Sequence, residues 1–214
     1  MANVNGPFGL RPLRYRSGLP YNDAATLYYV PSSNASNLFI GDPVVKITGG
    51  NAAAYYGNPV GSLAQVQIAT AGVGNAITGV IVGFFPEQAT SPVYLPTGTA
   101  RGVYIADDPN LVFAIQDDGV VATDYTWTSA NANLLLTTAG STITGLSGAQ
   151  LSTATKYVAA TGSSATAQLK IHRLRPVVNN NTGANAVWEV TINQHTEGYG
   201  AGTGTTITTG APGF

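Results

Sequence analysis

Glycine and proline punctuate this chain throughout, with 26 glycines and 12 prolines spread over 214 residues. Both are poor helix formers, and the apolar residues between them rarely recur at three-four spacing for more than a turn. Long helices are therefore excluded. What remains is a series of short β-branched and aromatic runs bounded by Gly, Asn, Asp and Pro, the pattern of an all-β antiparallel sandwich or barrel. Strands are predicted at residues 26–30, 43–48, 65–69, 77–84, 102–106, 111–116, 167–174 and 187–193.

Period-two alternation is clearest in the last two runs. Ala167, Leu169 and Ile171 oppose Gln168, Lys170 and His172, and Trp188, Val190 and Ile192 oppose Glu189, Thr191 and Asn193. Such alternation marks half-buried antiparallel strands. Residues 147–151 admit one short helical turn, and residues 137–164, rich in Gly, Ser, Thr and Ala, suggest loops or a weakly specified sheet edge.

Three segments follow from this pattern: an extended N-terminal arm at residues 1–24, a β-domain at 25–197 and a low-complexity tail at 198–214. The arm is interrupted by Gly6, Pro7, Gly9, Pro12, Gly18 and Pro20, yet it carries Phe8, Leu10, Tyr15, Arg11, Arg14 and Arg16. An arm with anchors of this kind is built to grip something. The Gly/Thr-rich tail cannot fold alone, but it can add a strand to a sheet edge and seat the Phe214 ring in a pocket.

Charged residues make up only 9% of the chain, against about 25% in average globular proteins, and the net charge is −1. A surface so poor in charge is suited to being covered by neighbours, though Asn, Gln, Ser and Thr could also solvate it. The near-neutral balance argues against nucleic acid as a partner. No cysteine is present, so disulfides, thiolate metal sites and cysteine nucleophiles are absent together. The first residues lack the basic and apolar regions of a secretory signal, and no apolar stretch approaches the roughly 20 residues of a membrane-spanning helix, so no membrane association is expected.

Catalytic patterns are lacking. Gly145-Leu-Ser-Gly148 misses the nucleophile elbow by one position, and the glycine clusters match neither the dinucleotide fingerprint nor the phosphate loop. The two histidines, His172 and His195, have no partner at metal-ligand spacing, although His195 could pair with Glu197. Asp107-Asp108-Pro109-Asn110 and Asp117-Asp118-Gly119 could supply carboxylates or bind calcium, but both are turn signals flanking a strand. No enzyme activity, cofactor or metal is expected. The basic residues form two groups, Arg11, Arg14 and Arg16 in the arm and Lys170, Arg173 and Arg175 around the penultimate strand, either anchors for a partner's carboxylates or a solvated face.

Several segments together resemble a known family: Asn5-Gly-Pro-Phe-Gly-Leu-Arg-Pro12, Gly41-Asp-Pro-Val-Val45, Gly79-Val-Ile-Val-Gly-Phe84, Asp107-Asp-Pro-Asn110 with Phe113-Ala-Ile-Gln116, and Trp188-Glu-Val-Thr-Ile-Asn-Gln-His195. They are similar to small head proteins of tailed bacteriophages, the decoration or cement proteins. The resemblance implies a structural virion protein on the outer surface of the icosahedral head, made in the host cytoplasm. Its implied partners are the major capsid protein and further copies of itself, as a homotrimer. On this resemblance the contact residues are Phe8, Arg11, Arg14 and Tyr15, with Phe214 in the tail.

Two other classes remain open. A carbohydrate- or receptor-binding β module would use exposed aromatics, for which Tyr28-Tyr29 and Tyr55-Tyr56 are the candidates; neighbours on a strand point opposite ways, which counts against both pairs. An all-β hydrolase would use Asp107, Asp108, Asp117 or Asp118, with few ionisable neighbours to tune them.

Overall fold

The computed structural model of the chain describes residues 3–119, 129–155, 157–158 and 166–198. In chain order the strands are β1 (Arg11–Tyr15), β2 (Thr26–Val30), β3 (Pro43–Gly50), β4 (Ala64–Ile68), β5 (Gly79–Phe84), β6 (Arg101–Ala106), β7 (Leu111–Gln116), β8 (Ser129–Ala132), β9 (Leu134–Leu135), β10 (Gln150–Leu151), β11 (Tyr157–Val158), β12 (Leu169–Leu174) and β13 (Val187–Ile192), with a 3-10 turn at Thr153–Thr155. The protein is all-β.

Two β layers share the work. Strands β2, β4, β3, β5 and β6 close into a barrel in that order, with β6 pairing back onto β2. All barrel pairings are antiparallel except β2 with β4, which run parallel and meet at Tyr29 and Gln65. The second layer is a six-stranded antiparallel sheet in the order β1-β7-β13-β12-β8-β11. Strands β9 and β10 form a separate ribbon.

The unbroken apolar run in β5 is explained by its position between two cores. Ile81 points into the barrel with Tyr28, Val30, Val44, Val66, Val103 and Ile105, while Val80 and Val82 face the sheet and meet a second core built on Phe113, Ile115, Leu169, Trp188 and Val190. Alternation at period two therefore buries both faces of one strand.

Strands β2 and β7 fall where the sequence pattern predicts them, and six others lie within a few residues of expectation. The helical turn expected at 147–151 is not formed: Gln150–Leu151 pairs with Leu134–Leu135 as β10, and the 3-10 turn comes later. Ladder partners satisfy these backbone groups better than one isolated turn could.

The arm expected at residues 1–24 is in part a strand of its own chain. β1 pairs with β7, shifting register between Pro12 and Arg14, and Gly6 N donates to Gln116 Oε1 at 2.9 Å. Pro12 lacks an N–H, but β1 is an edge strand and has a ladder on one side only. Just before β1, Gly9 (φ +74°) sits against Gly41 (φ +95°): a Cβ on Gly9 would lie 2.4 Å from Gly41 O and 2.6 Å from Ser147 Cβ. Leu10 N donates to Gly41 O at 2.9 Å, locking the entry to β1 onto the entry to β3.

Candidate interaction surface

The outer face of the six-stranded sheet, turned away from the core, gathers the two basic groups of the sequence. Register places Arg11, Ala114, Glu189 and Arg173 in one row across β1, β7, β13 and β12. Residues directly opposite on neighbouring strands project to the same side. In the adjoining row Arg14 lies opposite Val112, and Lys170 lies between Thr191 and Asn131. Val112 and Ala114 of β7 are 2% and 0% exposed although they face outward, and the Arg14–Glu189 ion pair reaches from β1 to β13 across that strand.

Glu189 is the hub of this face, with a side chain only 5% exposed. Its Oε2 accepts from Arg14 Nη2 at 2.9 Å and from Arg173 Nε at 2.9 Å, and its Oε1 accepts from Arg173 Nη2 at 3.1 Å. Burial pushes the carboxyl pKa up, but the two guanidiniums outweigh burial and hold it below the ordinary value. His172 bonds Thr191 Oγ1 at 3.1 Å, and partial burial together with Arg16, Lys170 and Arg14 holds its pKa down. That repulsion places Arg16 within electrostatic range of the same cluster.

Among the expected contact residues, Arg11 is exposed, Arg14 is committed to Glu189, and Tyr15 is packed against the core. Phe8 and Arg11 line a cleft of about 460 Å³ with Leu13, Tyr21, Ile81 and Leu146. Phe214 and residues 199–214 lie outside the described residues.

A different patch covers the outside of the barrel. Tyr55 and Tyr56 were expected to point apart, but they lie in a turn where Tyr56 has φ +43°, and their ring centroids are 4.9 Å apart. Tyr29 touches Tyr55 at 5.4 Å, and Phe85 joins Tyr56 at 4.8 Å and Tyr104 at 6.2 Å. Tyr55 is pinned: its hydroxyl donates to Glu87 Oε1 at 2.6 Å and accepts from Gly102 N at 2.8 Å. Tyr56 is 59% exposed and is the open member. Tyr28, by contrast, turns into the barrel as strand alternation requires.

The acidic pairs act in turns. Asp108 Oδ1 accepts from Asn110 N at 2.7 Å and Asp117 Oδ1 from Gly119 N at 3.1 Å, while Asp107 holds Thr26 and Tyr28 and Asp118 holds Thr153. Among the described residues no group of three His, Cys, Asp or Glu could hold a metal ion, and no helix is long and apolar enough to cross a membrane. His195 is buried, with Nδ1 accepting from Glu197 N at 3.0 Å, while the Glu197 carboxylate pairs with Lys46 instead.

No family model, curated protein or solved structure matches this chain.

The basic face was half visible in the sequence as two separate groups, because alternation assigns each residue a side of its own strand. That β1 and β12 share one sheet, separated by β7 and β13, depends on pairing over long sequence distances. The signal for Glu189 as hub was its place opposite the apolar residues of β13. Nothing local distinguished it from an ordinary solvent-facing acid.

Proposed function

We propose that this chain is a structural protein of a virion, a head decoration or cement protein of a tailed bacteriophage, with no catalytic role. It binds the outer surface of the icosahedral head and bridges adjacent major capsid subunits, working as a homo-oligomer, a trimer on the family resemblance. The observation that carries this reading is spatial. The segments that resemble the family are neighbours in the fold: Phe8-Gly9-Leu10 interlocks with Gly41, and Phe113 and Ile115 of β7 pair with Val190 and Trp188 of β13. A set of short motifs that builds one shared frame supports a common architecture better than scattered matches would.

The mechanism is thermodynamic. A protein that binds the mature shell stabilises it by its binding free energy, and many weak bridges on one particle add through multivalency. The test is light scattering of the purified protein followed by co-sedimentation with mature phage heads assembled without it. A discrete oligomer that pellets with heads and raises their melting temperature is expected. A monomer indifferent to heads overturns the proposal.

A second reading, a carbohydrate-binding module of a tail or surface structure, draws on the aromatic patch. Tyr56 beside Phe85 presents ring surface at the protein exterior, with Glu87 at its margin as a hydrogen-bond acceptor. Glycan-array binding that is lost in Tyr56→Ala would favour this reading over shell binding.

A further inference from the structure

We propose that the outer face of the six-stranded sheet is a docking surface for an acidic protein surface, whose carboxylates are met by Arg11, Arg16, Lys170 and the outward edges of Arg14 and Arg173. The face concentrates five of the chain's nine Lys and Arg residues around one carboxylate, Glu189, which two of them already neutralise. Among the described residues Arg11, Arg16 and Lys170 make no ion pair. These three cations stand in a chain where only 9% of residues are charged.

The chemistry of the partner follows from three features. Arginine dominates the face, and its planar fork suits carboxylates in bidentate geometry. Glu189 stands in the middle of the rows, so a ligand with closely spaced charges, such as duplex DNA with one phosphate per about 1.7 Å of axis, would bring negative charge against it. Discrete carboxylates can instead settle at the outer cations. A second copy of this chain is a poor donor of them, because among the described residues Asp42, Asp107, Asp108, Asp117, Asp118, Glu87, Glu189 and Glu197 are each engaged within their own molecule, which leaves Asp23 as the one exposed, unbonded carboxylate.

Identifying the acidic surface as the phage head rests on the function proposed above; the chemistry of the face does not. The experiment measures binding of the full chain to poly-L-glutamate and to duplex DNA at low and moderate salt, and co-sedimentation with heads. It compares wild type, the triple variant Arg11→Gln/Arg16→Gln/Lys170→Gln, and the charge-keeping variant Arg11→Lys/Arg16→Lys. None of these positions takes part in the Glu189 ion pairs, and matched melting temperatures establish that each variant is folded.

The expected result is salt-sensitive binding to poly-L-glutamate that falls about tenfold in the triple variant and by a smaller factor in the lysine variant, which keeps the charge but loses the bidentate fork. Equal binding by wild type and triple variant overturns the proposal, as does a preference for duplex DNA over poly-L-glutamate. If wild type and triple variant sediment with heads equally well, shell binding stands and this face is not its site. If the triple variant loses poly-L-glutamate but wild type never sediments with heads, the face stands and the shell reading fails.

Discussion

Trp188 donates its indole N–H to a carboxyl oxygen of Asp117 at 2.9 Å, tying β13 to the residue that follows the end of β7. Asp117 is fully buried, and its other oxygen accepts from Gly119 N. A buried polar group that loses a donor costs roughly 1–3 kcal/mol. Trp188→Phe keeps an aromatic ring in the sheet core and removes this donor, so it should destabilise the protein by about 2 kcal/mol. Thermal unfolding should show a melting temperature lower by roughly 4–8 °C for a chain of this size.

Gly9→Ala should be more damaging than Gly18→Ala. Both glycines have positive φ, +74° and +96°, where an alanine meets a strain of about 1–2 kcal/mol. At Gly18 an added Cβ meets nothing within 4 Å, whereas at Gly9 it meets Gly41 O at 2.4 Å. The excess loss in Gly9→Ala, measured by denaturant midpoint at unchanged slope, reports the β1 to β3 lock. Equal losses would show that the contact is not limiting.

Asp42 gives a pH signature. Burial raises its pKa from 3.8 to about 6, more than the hydrogen bonds from the Ser147 hydroxyl and Phe39 N lower it. Between those values the unfolded chain has released a proton that the folded chain retains, so stability falls as pH rises through this window. Above about pH 6 the full cost persists, on the order of 3 kcal/mol. Asp42→Asn should remove this slope, and the difference between the two stability curves from pH 4 to 7 isolates it from the histidines.

Glu189 behaves in the opposite sense. Its folded pKa lies below the ordinary 4.5, so it contributes stability above that value, which is lost as pH falls through the folded pKa. Glu189→Gln leaves Arg14 and Arg173 facing a neutral amide and should cost about 2 kcal/mol at neutral pH. The loss should shrink as pH falls below 4.5. Urea unfolding of both proteins at pH 7 and pH 3 measures it.

Much of the strand content was legible because β-branched residues, period-two alternation and turn residues act locally. The bounds of β2 and β7 and the turn role of Asp108-Pro109-Asn110 come from such signals. The strand β1 was not legible, because Gly9, Pro12 and Gly18 argue against pairing and only the exposed edge of β7, about a hundred residues away, overrides them. Tyr55 and Tyr56 misled for a related reason: strand alternation was assumed where the chain makes a turn with positive φ.

The sequence by itself determined the class of this protein: all-β, cysteine-free and poor in charge, with the core-facing residues of β12 and β13 marked by alternation. Tertiary structure alone decided the closure of the barrel through a parallel β2 to β4 contact, the return of the N-terminal segment to its own sheet, and the gathering of distant arginines around Glu189. The physical reason is range. Propensity and periodicity act between neighbours along the chain, whereas the choice of strand partners is settled by contacts that pair the first residues of the chain with its middle and its end.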